Sequence, residues 1–180
     1  MSQPDPVAAY GRARRLASRY CFGVNQHLER ISTFDPDREW SELQNKNDWE
    51  VVIIFLMRLR RCISFVSRFT EFKQIGKVSA AAFDACLPSL KDLRDFEEHF
   101  DDYSMGRGKN AAFDWGQLET YSYGAERFES GVGSIGTSDA KKAALLAWGL
   151  IVDLEPRAKA LGYLSWDDRF GGKSASGESK

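Results

Sequence analysis

An arginine, an aspartate and a histidine lie close together in residues 91–103, KDLRDFEEHFDDY. They are Arg94, Asp95 and His99, and His99 is one of only two histidines in the 180-residue chain. An imidazole can move protons at neutral pH, and a guanidinium can stabilise charge growing on phosphoryl oxygens. This pair suits the cleavage of RNA, in which the ribose 2′-hydroxyl attacks the adjacent phosphorus and the displaced 5′-oxygen needs a proton.

The spacing around these residues predicts an amphipathic helix. At about 100° per residue, Leu93 and Phe96 share the core side, whereas Asp95 falls on the solvent side. His99 lies on the boundary, four residues after Asp95, so the carboxylate can orient the imidazole. Arg94 and His99 are about 140° apart on the wheel. Either the long arginine bends around the helix, or a second subunit completes the site, and a functional pair therefore predicts a dimer.

This motif resembles the signature of the HEPN superfamily (higher eukaryote and prokaryote nucleotide-binding domains). That signature is an arginine, a polar residue and then a histidine, and residues 94–100, RDFEEHF, are similar to its four-residue form. The resemblance implies an all-α helical bundle that dimerises to build a composite, metal-independent endoribonuclease site. It further implies that Arg94 and His99 are catalytic and that Asp95 supports them.

The resemblance also implies a biological role in toxin–antitoxin pairs, abortive infection or other phage defence, with an antitoxin as a regulatory partner. Superfamily toxins paired with a minimal nucleotidyltransferase often have a tyrosine two residues after the histidine. Here Asp101 occupies that position. This departure argues against regulation by nucleotide transfer to a tyrosine.

Several further cations are candidates for RNA contacts. Arg107 and Lys109 follow the motif in GRGK (106–109), which either binds RNA phosphates or only ends a helix. The arginines of the first predicted helix either form a basic groove or lie on a solvent-exposed face. They are Arg12, Arg14, Arg15 and Arg19. We interpret His27 as a surface histidine or one satisfied by neighbours.

The sequence predicts no metal or cofactor site and no membrane partner. Its histidines are not at ligand spacing, and the three cysteines are widely spaced, as in buried thiols of a reducing cytoplasm. The N-terminus has no signal-peptide pattern, and the apolar run 51–57 is too short to cross a bilayer. A cytoplasmic protein is therefore expected.

The net charge of −1 hides an asymmetry between the two parts of the chain. Residues 1–78 carry 13 Lys+Arg and 9 Asp+Glu, and residues 79–180 carry 12 and 17. Duplex-DNA binders are usually basic overall, so that class is disfavoured. The acidic second part favours an alternative function, a non-catalytic helical module that binds a protein partner or a nucleotide through a degenerate motif.

Hydrophobic periodicity predicts an antiparallel helical bundle, in one domain over residues 1–170, with a disordered tail at 171–180. Helical regions are expected at about 6–34 and 38–72. IGKVS (75–79) is predicted to be a connection, with Ser79 capping a third helix that is interrupted near Pro88.

The region from 111 to 137 changes character. Aromatic and β-branched residues alternate there with glycines, which predicts a β-hairpin or a structured loop inserted into the bundle. A fourth helix is expected to start with Ser138 or Asp139 as its N-cap and to kink at Pro156.

Overall fold

The computed structural model describes residues 6–98 and 121–163, which are mostly helical with one small antiparallel sheet. The predicted helical character is therefore confirmed. The helices are α1 (Pro6–Ser32), α2 (Ser41–Val66), α3 (Lys73–Cys86), α4 (Leu90–Glu98), α5 (Thr137–Asp153) and α6 (Glu155–Ala160). The strands are β1 (Tyr121–Tyr123), β2 (Arg127–Ser130) and β3 (Gly133–Gly136), and a short 3-10 helix spans Thr70–Phe72.

An antiparallel hairpin of α1 and α2 forms the framework of the fold. The apolar stripe predicted for α1 is buried, with Val24 and Ile31 fully inaccessible to solvent. Facing residues of α2 such as Leu56 and Ile63 are equally buried. Since both stripes repeat every three or four residues, the two helices pack along most of their length.

Helix α5 packs against α1, α2 and α3 and closes the bundle. Its inner face carries small residues that permit a close approach of the helices, and all are fully buried: Ala140, Ala143, Ala144 and Ala147. Tyr10 of α1 donates a hydrogen bond to the backbone oxygen of Ile151 at 2.7 Å. Burial, with a smaller effect of the Glu155 carboxylate, raises the pKa of Tyr10 to about 12. The phenol therefore remains a neutral donor at physiological pH.

The region predicted as a hairpin or structured loop contains a three-stranded meander in its described part. The strand order is β1-β2-β3, and Phe128 of β2 pairs with Tyr123 and with Ile135. Phe128 and Ile135 are buried beneath the sheet, in contact with the helical core. Residues 111–120 lie outside the described part of the chain.

Two side chains of α2 bind the end of β1 and the residue that follows it. The amide nitrogen of Asn45 donates to the backbone oxygen of Tyr123 at 2.6 Å, and the Trp49 indole donates to that of Gly124 at 2.9 Å. Buried backbone oxygens need such partners. These bonds therefore fix the sheet on the first half of α2.

The predicted connection at 75–79 is wrong, because those residues belong to α3. The chain turns earlier, after Ser67, whose hydroxyl donates back to the Ile63 carbonyl at 2.7 Å. Gly76 is not a helix breaker here but a contact point, since a Cβ built on it would lie 2.3 Å from Ser67 Oγ. Ser79, the predicted N-cap, is consequently inside a helix.

The other predicted helix boundaries have mixed outcomes. The break near Pro88 is confirmed between α3 and α4. Helix α5 begins at Thr137 with Gly136 in the N-cap position, so neither Ser138 nor Asp139 is its cap. In place of the kink expected at Pro156, the structure has two helices, since α5 ends at Asp153 and α6 begins with Pro156 in its first turn. The tail at 171–180 lies outside the described residues.

Replacement of Gly76 by alanine should reduce the free energy of unfolding by about 1–3 kcal/mol, because the added methyl group meets Ser67 side-chain and backbone atoms. Gly149→Ala is the matched control, since no described atom lies within 4 Å of a Cβ at that helical position. That control should stabilise the protein by up to about 1 kcal/mol through helix propensity. Urea unfolding measures the free energy of unfolding of both variants. Equal changes in the two variants would contradict the close contact between Gly76 and Ser67.

Candidate functional site

Helix α4 carries the first half of the predicted motif. Its buried residues include Leu93, as expected, whereas Arg94 and Asp95 are each partly buried. The Nε atom of Arg94 is shielded from solvent. Arg94 is therefore set into the protein surface and is not a freely solvated side chain.

The remaining predicted site residues lie outside the described part of the chain. They are His99, Arg107 and Lys109. The predicted hydrogen bond between Asp95 and His99 stays a prediction for that reason.

Close packing on the sheet positions α4. The helix contacts β3 and α2, and Ser89, just before α4, lies against Gly133 of β3. A Cβ at Gly133 would lie 2.4 Å from Ser89 Cβ, and the φ of Gly133 is 156°. Only glycine avoids that collision without a shift of the backbone. The small sheet thus holds the motif helix near the first half of α2.

A groove of about 770 Å³ lies between α1 and α2. Apolar side chains form its floor, and they include Leu16, Cys62 and Phe65. Four arginines line it: Arg12, Arg58, Arg61 and Arg68. None of its described lining residues is acidic.

The charge and shape of this arginine groove suit a flexible polyanion. Guanidinium groups bind phosphate oxygens through paired N–H donors, and four in one groove raise the local concentration of anions. Aromatic side chains beside such cations provide stacking surfaces for bases of single-stranded nucleic acid. Phe65 is partly buried at the groove and offers such a surface.

Contacts with Tyr20 hold one of the four arginines in place. The Arg58 guanidinium lies 5.5 Å from the centre of the Tyr20 ring, and its Nη1 donates to the Tyr20 hydroxyl at 3.2 Å. This contact orients the guanidinium before any ligand binds. Cys62 in the floor is not a nucleophile at neutral pH, because burial raises its pKa to about 11.

A second polar cluster lies farther along the same hairpin. Asp48 of α2 accepts a hydrogen bond from His27 Nδ1 of α1 at 2.6 Å and contacts the Arg30 guanidinium through both carboxylate oxygens. The Asp48 side chain is only 7% exposed, whereas that of Arg30 is 48% exposed. A buried carboxylate therefore joins two partners on the neighbouring helix.

The His27 tautomer follows from these contacts. Arg30 Nη2 also lies 2.5 Å from His27 Nδ1, but a single ring nitrogen cannot donate to Asp48 and accept from Arg30 through the same site. The carboxylate is the stronger acceptor, so we assign the Nδ1 proton to the bond with Asp48. The ring also packs edge-on against Phe55 at 5.9 Å.

The ionisation of Asp48 reflects a balance of opposing effects. Burial alone would raise its pKa, but hydrogen bonds from Arg30 and His27, and their charges, lower the pKa below its ordinary value. Asp48 is consequently an anion at neutral pH. We interpret the cluster as a brace between α1 and α2, which agrees with the prediction of a satisfied His27.

The arginine groove and this brace lie on one seam of the hairpin. On α1 the seam residues recur every three or four positions, from the groove to the brace: Ala9, Ala13, Leu16, Tyr20, Gly23, His27 and Arg30. Phe55 bridges the two regions, since its ring contacts both Tyr20 and His27. The step from Tyr20 to Arg30 covers about 15 Å along the helix axis.

Sequence reasoning identified only part of the arginine groove. Arg12 was a candidate, but Arg14 pairs with Glu155 at 3.2 Å, and neither Arg15 nor Arg19 lines the groove. The α2 arginines alternate with apolar residues at helical spacing. That pattern predicts a groove only when the helix that packs against α2 is known.

No protein-family model, curated protein or solved structure matches this chain. Among the described residues, no group of three or more His, Cys, Asp or Glu side chains could hold a metal ion. Within the same residues, no helix is long and apolar enough to span a membrane.

Replacement of Asp48 by asparagine should lower the free energy of unfolding by about 1–3 kcal/mol at neutral pH, because the hydrogen bonds to a charged acceptor are lost. Because the folded protein lowers the pKa of Asp48, its carboxylate stabilises the fold at pH values above the unfolded pKa, which is near the ordinary value of 3.8. This stabilisation is lost as the pH falls through the folded pKa. The difference in the free energy of unfolding between wild type and Asp48→Asn, measured with urea, should therefore shrink below about pH 4.

Glu50→Gln is the control for this measurement. Glu50 forms an exposed pair with Lys46 at 4.0 Å, and such pairs contribute less than about 0.5 kcal/mol. A wild-type advantage over Asp48→Asn that stays constant down to about pH 2 would contradict the ionisation assigned to Asp48.

Proposed function

We propose that this protein is a cytoplasmic, metal-independent endoribonuclease of HEPN type that binds single-stranded RNA in the arginine groove between α1 and α2. The observation that carries the RNA part is the arginine groove, with its apolar floor and without acidic lining residues among those described. The cleavage part rests on the resemblance of residues 94–100 to the HEPN signature.

The proposed reaction is a transesterification that needs no metal. The ribose 2′-oxygen forms a bond to phosphorus, and the bond from phosphorus to the 5′-oxygen breaks. The products have a 2′,3′-cyclic phosphate and a 5′-hydroxyl. His99 transfers the protons, Arg94 stabilises the charge on the phosphoryl oxygens, and Asp95 orients the imidazole.

The remaining parts of the proposal concern RNA contacts and assembly. Arg107 and Lys109 bind RNA phosphates beside the scissile bond. Two copies of the chain form a homodimer, so that Arg94 of one subunit and His99 of the other complete a site that one helix does not bring together. The enzyme acts as a toxin or phage-defence effector under the control of an antitoxin or other regulatory protein.

A non-catalytic binding module is the second candidate function. The groove favours it on one point, since cations over an apolar floor also suit an acidic, amphipathic protein segment or a nucleotide. The two functions differ in an observable way, because a binding module leaves RNA intact.

Cleavage of an end-labelled single-stranded RNA in EDTA tests the proposed function. The wild type should produce 2′,3′-cyclic phosphate ends, and Arg94→Ala and His99→Ala should each slow cleavage about 100-fold or more. Mass spectrometry of the products identifies the ends.

His27→Gln is the matched control, because His27 and His99 are the two histidines of the chain. It should retain cleavage within a few-fold once circular dichroism confirms that it is folded. Intact RNA with every protein would favour the binding module. Cleavage unchanged by Arg94→Ala and His99→Ala would contradict the proposed catalytic residues.

A further inference from the structure

Helix α5 has the sequence of a helix that is buried on every side. Residues 143–152, AALLAWGLIV, contain no polar side chain over about three turns. A helix that is apolar all round is normally enclosed by other structure. Only the alanine-rich face of α5 packs against α1, α2 and α3, and the opposite face is exposed.

The exposed face of α5 is centred on Leu145, Gly149 and Val152, which lie within about 60° of one another on a helical wheel. Leu145 is 50% exposed and Val152 is 38% exposed. No described atom lies within 4 Å of a Cβ built on Gly149, so the surface beside Leu145 is open. The exposed residues of α1 are by contrast mostly polar, as in Arg15 and Arg19. The outer face of α5 is therefore a candidate interaction surface.

The charges that flank this face have opposite signs at the two ends of the helix. Lys141 and Lys142 lie just beyond the first turn, and Asp153 is the last residue, and all three are exposed. Asp139 of the first turn lies about 100° around the helix from the centre of the face. An aspartate in the last turn opposes the helix dipole, so Asp153 destabilises the helix that carries it. The charge of Asp153 becomes favourable when a cation from outside the chain lies beside it.

A second copy of α5 in antiparallel orientation supplies that cation. A two-fold axis level with residue 147 sets Lys141 opposite the partner's Asp153 and Leu145 opposite the open surface at the partner's Gly149. The same axis repeats both contacts with the two copies exchanged. A shift by one turn would set Lys141 opposite the partner's Gly149 or its cationic Arg157 instead. One alignment therefore satisfies the apolar residues and the charges together.

We infer that α5 pairs with α5 of a second copy of this chain, antiparallel around a two-fold axis, through Leu145, Gly149 and Val152. One helix face on each subunit is smaller than a standard interface of about 20–30 residues a side. A reversible dimer is therefore expected, with a Kd on the order of 10–100 µM.

This inference deepens the proposed function, on whose homodimer it rests, because it names the surface through which two copies meet. Dimerisation requires neither RNA nor cleavage, so the two are measured separately. A chain that dimerises through α5 and leaves RNA intact would contradict the proposed cleavage and still support this inference.

Sedimentation equilibrium of the full chain at low ionic strength, from about 1 to 500 µM, tests the surface. The mass of the wild type should rise with concentration from 20.3 kDa toward twice that value. Leu145→Glu should weaken dimerisation at least tenfold, because it sets a charge against an apolar surface. Leu43→Glu is the matched control, since Leu43 is 52% exposed on α2, and it should dimerise as the wild type does. Circular dichroism checks that each variant is folded.

Reversal of the flanking charges tests the antiparallel alignment. Lys141→Glu and Asp153→Lys should each weaken dimerisation about fivefold or more, because each sets like charges opposite each other in two symmetric pairs. The double variant should restore the Kd to within about twofold of the wild type. Asp153→Lys also places a favourable charge at the C-terminus of the helix, so lost dimerisation would not reflect a lost fold.

Three results would each overturn the inference. They are a chain that stays monomeric over the whole range, equal weakening by Leu145→Glu and Leu43→Glu, and a double charge variant that dimerises no better than the single ones.

Discussion

The antiparallel packing of α1 against α2 is the constraint on which both the arginine groove and the Asp48 brace depend. Each of them is built from residues of both helices. A slip of one helix by a turn would move residues about 5.4 Å and separate the partners in both. The register of this hairpin therefore decides where its cations and acceptors meet.

The Asp48 brace contributes to that register. A buried carboxylate costs free energy unless it is paired, and Asp48 finds both its side-chain partners on α1. Aromatic packing acts at a second point, where Phe55 of α2 contacts Tyr20 and His27. At this point Gly23 is required, since a Cβ there would lie 2.3 Å from the Phe55 ring. Charge pairing and shape thus select the same alignment.

Much of the fold could be predicted from local patterns. The helices of the hairpin and the break near Pro88 follow from apolar spacing and backbone restriction, which act within a few residues. The connection at 75–79 was misjudged because Gly76 resembles a breaker, although it lies in a helix and makes room for Ser67. The candidate site was harder to predict, because the groove combines Arg12 with arginines more than forty residues away. Such a site depends on tertiary packing, which single-sequence patterns do not encode.

The central claim is that the arginines of the groove between α1 and α2 bind single-stranded RNA. The most direct measurement compares RNA binding by Arg12→Gln/Arg68→Gln with binding by Arg15→Gln/Arg19→Gln, which removes the same charge from exposed positions outside the groove. Fluorescence anisotropy over a range of salt concentrations should show weaker binding for the first pair, with a salt dependence reduced by about 0.7 per lost phosphate contact. The control pair should bind nearly as the wild type does. Equal weakening by both pairs would show that net charge alone attracts RNA and would contradict the arginine groove as its binding site.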